Sequence, residues 1–222
     1  MKKKCVILVA AISAKALSLF AANVALQKPV IDYSNQYSGL PGYEASNVTD
    51  GSTSDVSGSN YWVTDNFAGI GAYFTLDLQG VFHVAEIDLR NTHNASNNDR
   101  GTGDFHILAS TAVDASNHLI SPITILTGTL SDVSGENPII ADEFTASQGL
   151  VVGDYRYVEF VVDSLAPYVN AGGAGLNEIE VQTTVVAVPE PSSMMLVVTA
   201  TGALLCFRKV SQRLRLAAIK AV

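Results

Sequence analysis

The chain of 222 residues has only two cysteines, Cys5 and Cys206, and both lie in apolar segments near its ends. The stretch between them can therefore hold neither a disulfide nor a thiolate metal site, and must stand on its core. Basic residues are almost as scarce there. Between Asn23 and Ala187 the only ones are Lys28, Arg90, Arg100 and Arg156, against 20 acidic residues, a net −16 where the whole chain carries −8. Phosphate contacts need Lys and Arg, so this composition excludes a nucleic-acid partner. It suits an exported domain and cations such as calcium.

Catalytic signatures are missing as well. There is no His-Glu-x-x-His, no Gly-x-Ser-x-Gly and no cysteine nucleophile. The histidines, His83, His93, His106 and His118, lack zinc-ligand spacing. Carboxylates are so plentiful that a glycosidase pair could be drawn almost anywhere, which empties the idea of content. The chain reads as a non-enzyme. Helical periodicity is absent before the tail, and no internal repeat is visible.

What is present is period-two alternation. It is clearest from Tyr73 to Asn91, where Phe74, Leu76 and Leu78 share one face and Ala85, Ile87 and Leu89 share another. Successive strand residues point to opposite sides, so this pattern predicts half-buried antiparallel strands, with Gln79-Gly80 as their connection. Further strands are expected at Tyr61–Thr64, Asp104–Ser110, Ile123–Leu126, Tyr155–Val162 and Leu176–Thr183. In the last, Ile179 and Val181 oppose Glu178 and Glu180. Asn91 to Gly103 is a polar loop. Short strands separated by turn residues predict an all-β antiparallel sandwich or jelly roll over residues 23–183.

The two ends read as addresses. Met1-Lys2-Lys3-Lys4 and the apolar run from Cys5 to Ala14 have the form of a signal peptide for signal peptidase, residues 1–22. Ala14-Lys15-Ala16 and Ala21-Ala22 both offer cleavage sites, the later one favoured because Asn23 opens the globular pattern. The run falls short of the roughly 20 apolar residues of a membrane span. At the other end, residues 184–222 begin with Val188-Pro189-Glu190-Pro191-Ser192, continue as the uncharged Met194 to Phe207, and close on Arg208-Lys209. The prolines stop any strand, and an apolar segment before a basic cluster is a membrane segment with its basic end in the cytoplasm.

This tail resembles the PEP-CTERM sorting signal. Pro189, Glu190 and Pro191 match its motif, and the span and basic end follow in order. The resemblance implies a Gram-negative bacterium with an extracellular polysaccharide matrix or biofilm and transient inner-membrane anchoring. It also implies processing by an exosortase and delivery to the cell surface or matrix. Residues Val210 to Val222 extend beyond the usual end.

The middle resembles the discoidin, or coagulation factor 5/8 type C, family of galactose-binding-like sandwiches, which includes many carbohydrate-binding modules. Asn23 to Pro29, Ala45 to Gly51, Tyr61-Trp62, Phe74 to Leu78, Asp99 to Thr102, Phe105 to Ser110, Tyr155 to Val158 and Leu176 to Val181 carry it, in the family's order. The length between Leu130 and Asp154 is extra.

Two sites follow as expectations from that resemblance. The first is a structural calcium held by Asn47, Asp50 and Ser52 with Glu178, and completed by backbone oxygens near Ser59 and Asn177. Calcium takes six to eight hard oxygens, and the ion would tie the first loop to the last strand. The plain reading of Asn47 to Ser52 is a glycine-containing turn. The second is a glycan or exopolysaccharide site around Arg100. A guanidinium there would donate paired hydrogen bonds, with Asn91, His93 and Asn94 as polar contacts and Trp62 as a stacking platform. The position matching the family's first arginine is Thr92. Plainer readings are a loop arginine paired to Asp99 or Asp104, and a core tryptophan. The functional expectation is a non-enzymatic glycan-binding module at the cell surface; the alternative is a structural matrix or adhesion protein that binds no sugar.

Overall fold

The computed structural model describes residues 22–55, 60–131, 138–169 and 172–183. The signal-peptide run, Ser59, the Pro189-Glu190-Pro191 motif and its apolar span lie outside the described residues. Among those described, no helix is long and apolar enough to cross a membrane.

Among the described residues, ten strands run in chain order: β1 (Ala22–Asn23), β2 (Val30–Tyr33), β3 (Trp62–Val63), β4 (Tyr73–Arg90), β5 (Asp104–Ser110), β6 (Ile123–Thr129), β7 (Asp142–Thr145), β8 (Gly153–Val162), β9 (Gly175–Leu176) and β10 (Glu178–Thr183). All the strand pairings are antiparallel.

The long strand β4 organises the rest. Gln79-Gly80 does not separate two strands, as expected, but forms a bulge within one. Asp77 pairs with Tyr157 and Phe82 with Tyr155, so residues 78–81 all stand opposite Arg156. Extra residues on one strand bend it and raise its twist. Gln79 takes a left-handed φ of 62°, and its N–H donates to Asp77 Oδ1 at 2.7 Å. Arg156 grips the same carboxylate in a fork, with Nε and Nη2 each 2.9 Å from Asp77. A smaller register shift at Ala85, between the pairs Glu86–Gln182 and Val84–Thr183, resets the alternation. Val84 is therefore fully buried where Ala85 was expected to be.

The bend lets one strand serve two layers. The first half of β4 lies between β2 and β8, and β5 and β6 extend that layer. The second half lies between β10 and β7, with β1 on the outer side of β10. Their apolar faces meet in a single core. Phe160 stacks on Phe74 and on Phe105, at 5.3 and 5.4 Å, and Phe105 meets Phe144 of the other layer edge-on at 5.4 Å. Burying one such ring contributes roughly 1.5–3 kcal/mol, which lets a domain without disulfides hold together. The chain is thus an all-β sandwich. The short β3–β9 ribbon is separate from the large sheet, and the loops around it carry the site described next.

Candidate functional site

Loops 35–44, 63–66 and 94–100 enclose a cleft of about 250 Å³. Arg100 forms part of its wall and is only 3% exposed. Its Nε donates to the Thr64 carbonyl at 3.1 Å, Nη1 to the Asp99 carbonyl at 2.9 Å, and Nη2 to Asn66 Oδ1 at 2.6 Å. Nη1 also pairs with the Asp99 carboxylate at 2.9 Å. The guanidinium thus clamps the loop after β4 to the loop after β3, and it lies 5.8 Å from the Tyr37 ring centroid.

The expected polar loop from Asn91 to Gly103 is largely folded inward, because its polar groups satisfy one another. Asn91 is buried and uses both ends of its amide. Nδ2 donates to the carbonyls of Thr102 and Ser131, and Oδ1 accepts from the N–H groups of Thr92 and Thr102. It closes the loop and does not reach the cleft. His93 is also buried. Its N–H donates to Asp55 Oδ2 at 2.8 Å and its ring lies flat on Tyr168, 4.1 Å between centroids. Thr92 donates its hydroxyl to the same Asp55 oxygen. Asn94 does line the cleft. It takes a left-handed φ of 59°, which Asn tolerates, accepts from the Tyr61 hydroxyl at 2.9 Å and donates to Asp99 Oδ1 at 2.7 Å.

Trp62 is not the platform it was expected to be. It has no exposed surface, packs edge-on against Phe74 at 5.2 Å and donates its indole N–H to the Asn35 carbonyl. A ring with both apolar faces and its donor satisfied belongs to the core. Of the five expected ligand contacts, then, Arg100 and Asn94 line the cleft, while Asn91, His93 and Trp62 do not. The aromatic lining of the cleft comes instead from Tyr37 and Tyr43, edge-on at 5.7 Å, with Leu40, Asn66 and Asn97 also in the wall. Sequence reasoning missed both tyrosines, which lie in a loop without periodicity.

The second site lies where the first loop meets the last strand. A 3-10 turn, Ala45–Thr49, leads into Asp50-Gly51-Ser52. Gly51 has φ 85°, a conformation that favours glycine, and its N–H donates to Glu178 Oε1 at 3.1 Å. Glu178 was expected on the polar face of its strand, yet it is fully buried. Its other oxygen, Oε2, has no hydrogen-bond partner, and neither does the buried Oδ1 of adjacent Asn177. Burial pushes the Glu178 carboxyl up to about 9, and the charge of Asp50 adds to the shift. Asp50 Oδ1 accepts from the Ser52 N–H at 2.7 Å, while Asn47 Nδ2 donates to the Gly42 carbonyl at 2.8 Å. Among the described residues no three His, Cys, Asp or Glu side chains cluster closely enough to hold a metal. An ion here would rest on Glu178 and Asp50 together with amide and backbone oxygens. Two buried oxygens lacking donors, beside a carboxylate, fit a hard cation.

No family model and no curated protein matches the chain. Solved structures do match it. Chitosan-binding module 1, derived from a chitosanase/glucanase of Paenibacillus sp. IK-5, is 18% identical with a TM-score of 0.51, over 72% of this chain and 98% of that one. CBM32-3 from a family 31 glycoside hydrolase of Clostridium perfringens is 14% identical with a TM-score of 0.52, over 74% and 95%. A mutant lectin binding domain of Lectinolysin, complexed with Lewis b, is 17% identical with a TM-score of 0.51, over 74% and 98%. The chain shares the β-sandwich fold of these structures.

Proposed function

We propose that the protein is an exported, non-enzymatic carbohydrate-binding module. The cleft carries this reading. It gathers two tyrosine rings and the amides of Asn66, Asn94 and Asn97 in one lining, on a sandwich whose structural relatives are named for binding chitosan and for a complex with Lewis b. Sugars present hydroxyls and apolar C–H faces, and such sites answer with amides, carboxylates and aromatic rings. At about 250 Å³ the cleft lies below the roughly 300–1,000 Å³ of drug-sized pockets, and suits one sugar ring. Arg100 and Asp99 neutralise each other in its wall. Their role is to hold Asn66 and Asn94 in place in the cleft wall.

Calcium, in this reading, sits between the Asp50–Ser52 loop and Glu178. Bound there, the ion would supply the positive charge that a buried carboxylate requires. Glu178 Oε2, Asn177 Oδ1 and Asp50 would hold it, with Ser52 and the backbone of the Asn47 turn alongside. The tail would deliver the module to the cell surface or matrix, after signal peptidase and exosortase have acted at its two ends.

The second reading is a matrix or adhesion protein that binds no sugar. The internal saturation of Arg100 and Asn91 favours it, since their donors are already used. A glycan array probed with the calcium-loaded protein separates the two. Selective binding that Tyr37→Ala and Tyr43→Ala both abolish supports the module. No binding by folded protein supports the matrix role.

A further inference from the structure

Phe67 is the most exposed of the large apolar side chains described, at 84% of its surface. It also takes a left-handed φ of 62°, which is uncommon for a bulky residue and strained. The loop that presents it is tied down on every side. Asp65 N–H donates to Asn35 Oδ1, Phe67 N–H to the Gly172 carbonyl at 2.9 Å, Ala68 N–H to the Asp65 carbonyl, and Gly71 N–H to the Val162 carbonyl. At Gly69 an added Cβ would stand 2.5 Å from Leu165 and 2.8 Å from the Ala174 nitrogen, so the loop is pressed hard onto the sandwich. The backbone is rigid while the ring is left in water.

The position matters because it adjoins the cleft. Asn66, the preceding residue, lines the cleft and accepts from Arg100 Nη2. Gly172, whose carbonyl holds Phe67, lies so near the cleft wall that a Cβ there would be 2.7 Å from Arg100 Nη1. Phe67 therefore stands on the rim, one residue from the wall. Leu40, 61% exposed, is another apolar group at the cleft. Single exposed apolar residues are ordinary on protein surfaces. A strained aromatic, on a pinned loop, at the rim of a one-sugar cleft, is not explained that way.

We propose that Phe67 is the stacking platform for a second sugar, so that the site recognises an oligosaccharide whose first unit fills the cleft and whose next unit lays its C–H face on the Phe67 ring. This rests on the carbohydrate-binding reading above and adds chain length as a determinant of affinity. The pinned loop supports it, because a backbone already fixed spares the entropy of ordering the loop on binding.

The test is calorimetric titration with a glycan positive on the array, offered as its terminal monosaccharide and as its di-, tri- and tetrasaccharide. The parent should gain about ten-fold in affinity from monosaccharide to disaccharide and little beyond. Phe67→Ala should lose that gain, bind the monosaccharide as the parent does, and melt no lower than the parent; Phe67→Trp should keep the gain. Equal affinity for monosaccharide and disaccharide in the parent overturns the proposal, as does a gain that survives in Phe67→Ala. A parent that binds the monosaccharide but gains nothing from length overturns the platform alone. A folded parent that binds none of the set overturns the sugar site and the platform with it.

Discussion

The Gly51 N–H donates to Glu178 Oε1 at 3.1 Å across 127 positions of sequence. This bond joins the first loop to the last strand, at a carboxylate that burial drives toward neutrality. A group whose folded pKa, here about 9, lies above its unfolded value of 4.5 binds more protons folded than unfolded between those values. Without a cation, stability from this group is full below pH 4.5 and is lost as pH rises toward 9, with a cost on the order of 3 kcal/mol at pH 7.

A cation bound there would reverse the trend, because it would take the carboxylate. Calcium should therefore raise the melting temperature more at pH 8 than at pH 5, where protons compete for Glu178. Glu178→Gln should raise the melting temperature of the metal-free protein at pH 8 and abolish the calcium response; Asp50→Ala should weaken that response. Scanning calorimetry with calcium and with a chelator, at both pH values, measures all of this. Equal calcium stabilisation at pH 5 and pH 8 would contradict it.

A second carboxyl is out of its usual range. Asp88 stands in register with Glu180 on one side and Glu143 on the other. It is 8% exposed, and burial, with Glu86 and Glu180 nearby, pushes it up to about 7. The stability it contributes is full below its usual 3.8 and is lost as pH climbs through 7. Asp88→Asn should raise the melting temperature more at pH 8 than at pH 5. Identical shifts at the two pH values would show that Asp88 is charged throughout.

Arg100 should behave as a clamp. Arg100→Ala leaves the Thr64 and Asp99 carbonyls and Asn66 without their donor, and a loss on the order of 2–3 kcal/mol is expected. Arg100→Lys should recover little, because an ammonium cannot span those partners as a planar fork does. Urea unfolding of both variants is the check. Unchanged stability in Arg100→Ala would return the residue to a purely ligand-directed role.

The strands were legible in the sequence wherever alternation was clean: Phe74, Leu76 and Leu78 point inward, and so do Phe105 and Ile107. Gly80 misled, because glycine marks a turn and a bulge alike, and only pairing with Tyr155 and Tyr157 distinguishes them. The loop after β4 misled for a different reason. Polarity predicts exposure only while polar groups lack partners, and Asn91 and Arg100 find theirs within the fold. Glu178 obeys the period of its strand, but the loop at Gly51 covers it, and that contact is invisible to local patterning. Tyr37 and Tyr43 lie in no periodic segment, so only the folded chain brings them to the wall that holds Asn94 and Arg100.

Processing at the two ends is read from the mature chain. Mass spectrometry of the protein from a host with a working exosortase should find the leader removed and the chain ending near Pro189-Glu190-Pro191. Intact residues Arg208 to Val222 on the surface protein would contradict the sorting role.

The central claim is that the cleft beside Arg100 binds sugar, and nuclear magnetic resonance titration of the calcium-loaded protein with an array-positive glycan tests it most directly. The account predicts saturable shifts confined to Tyr37, Tyr43, Asn66, Asn94, Asn97 and their neighbours. Shifts centred elsewhere on the sandwich, or a spectrum unmoved by every glycan tried, would contradict it.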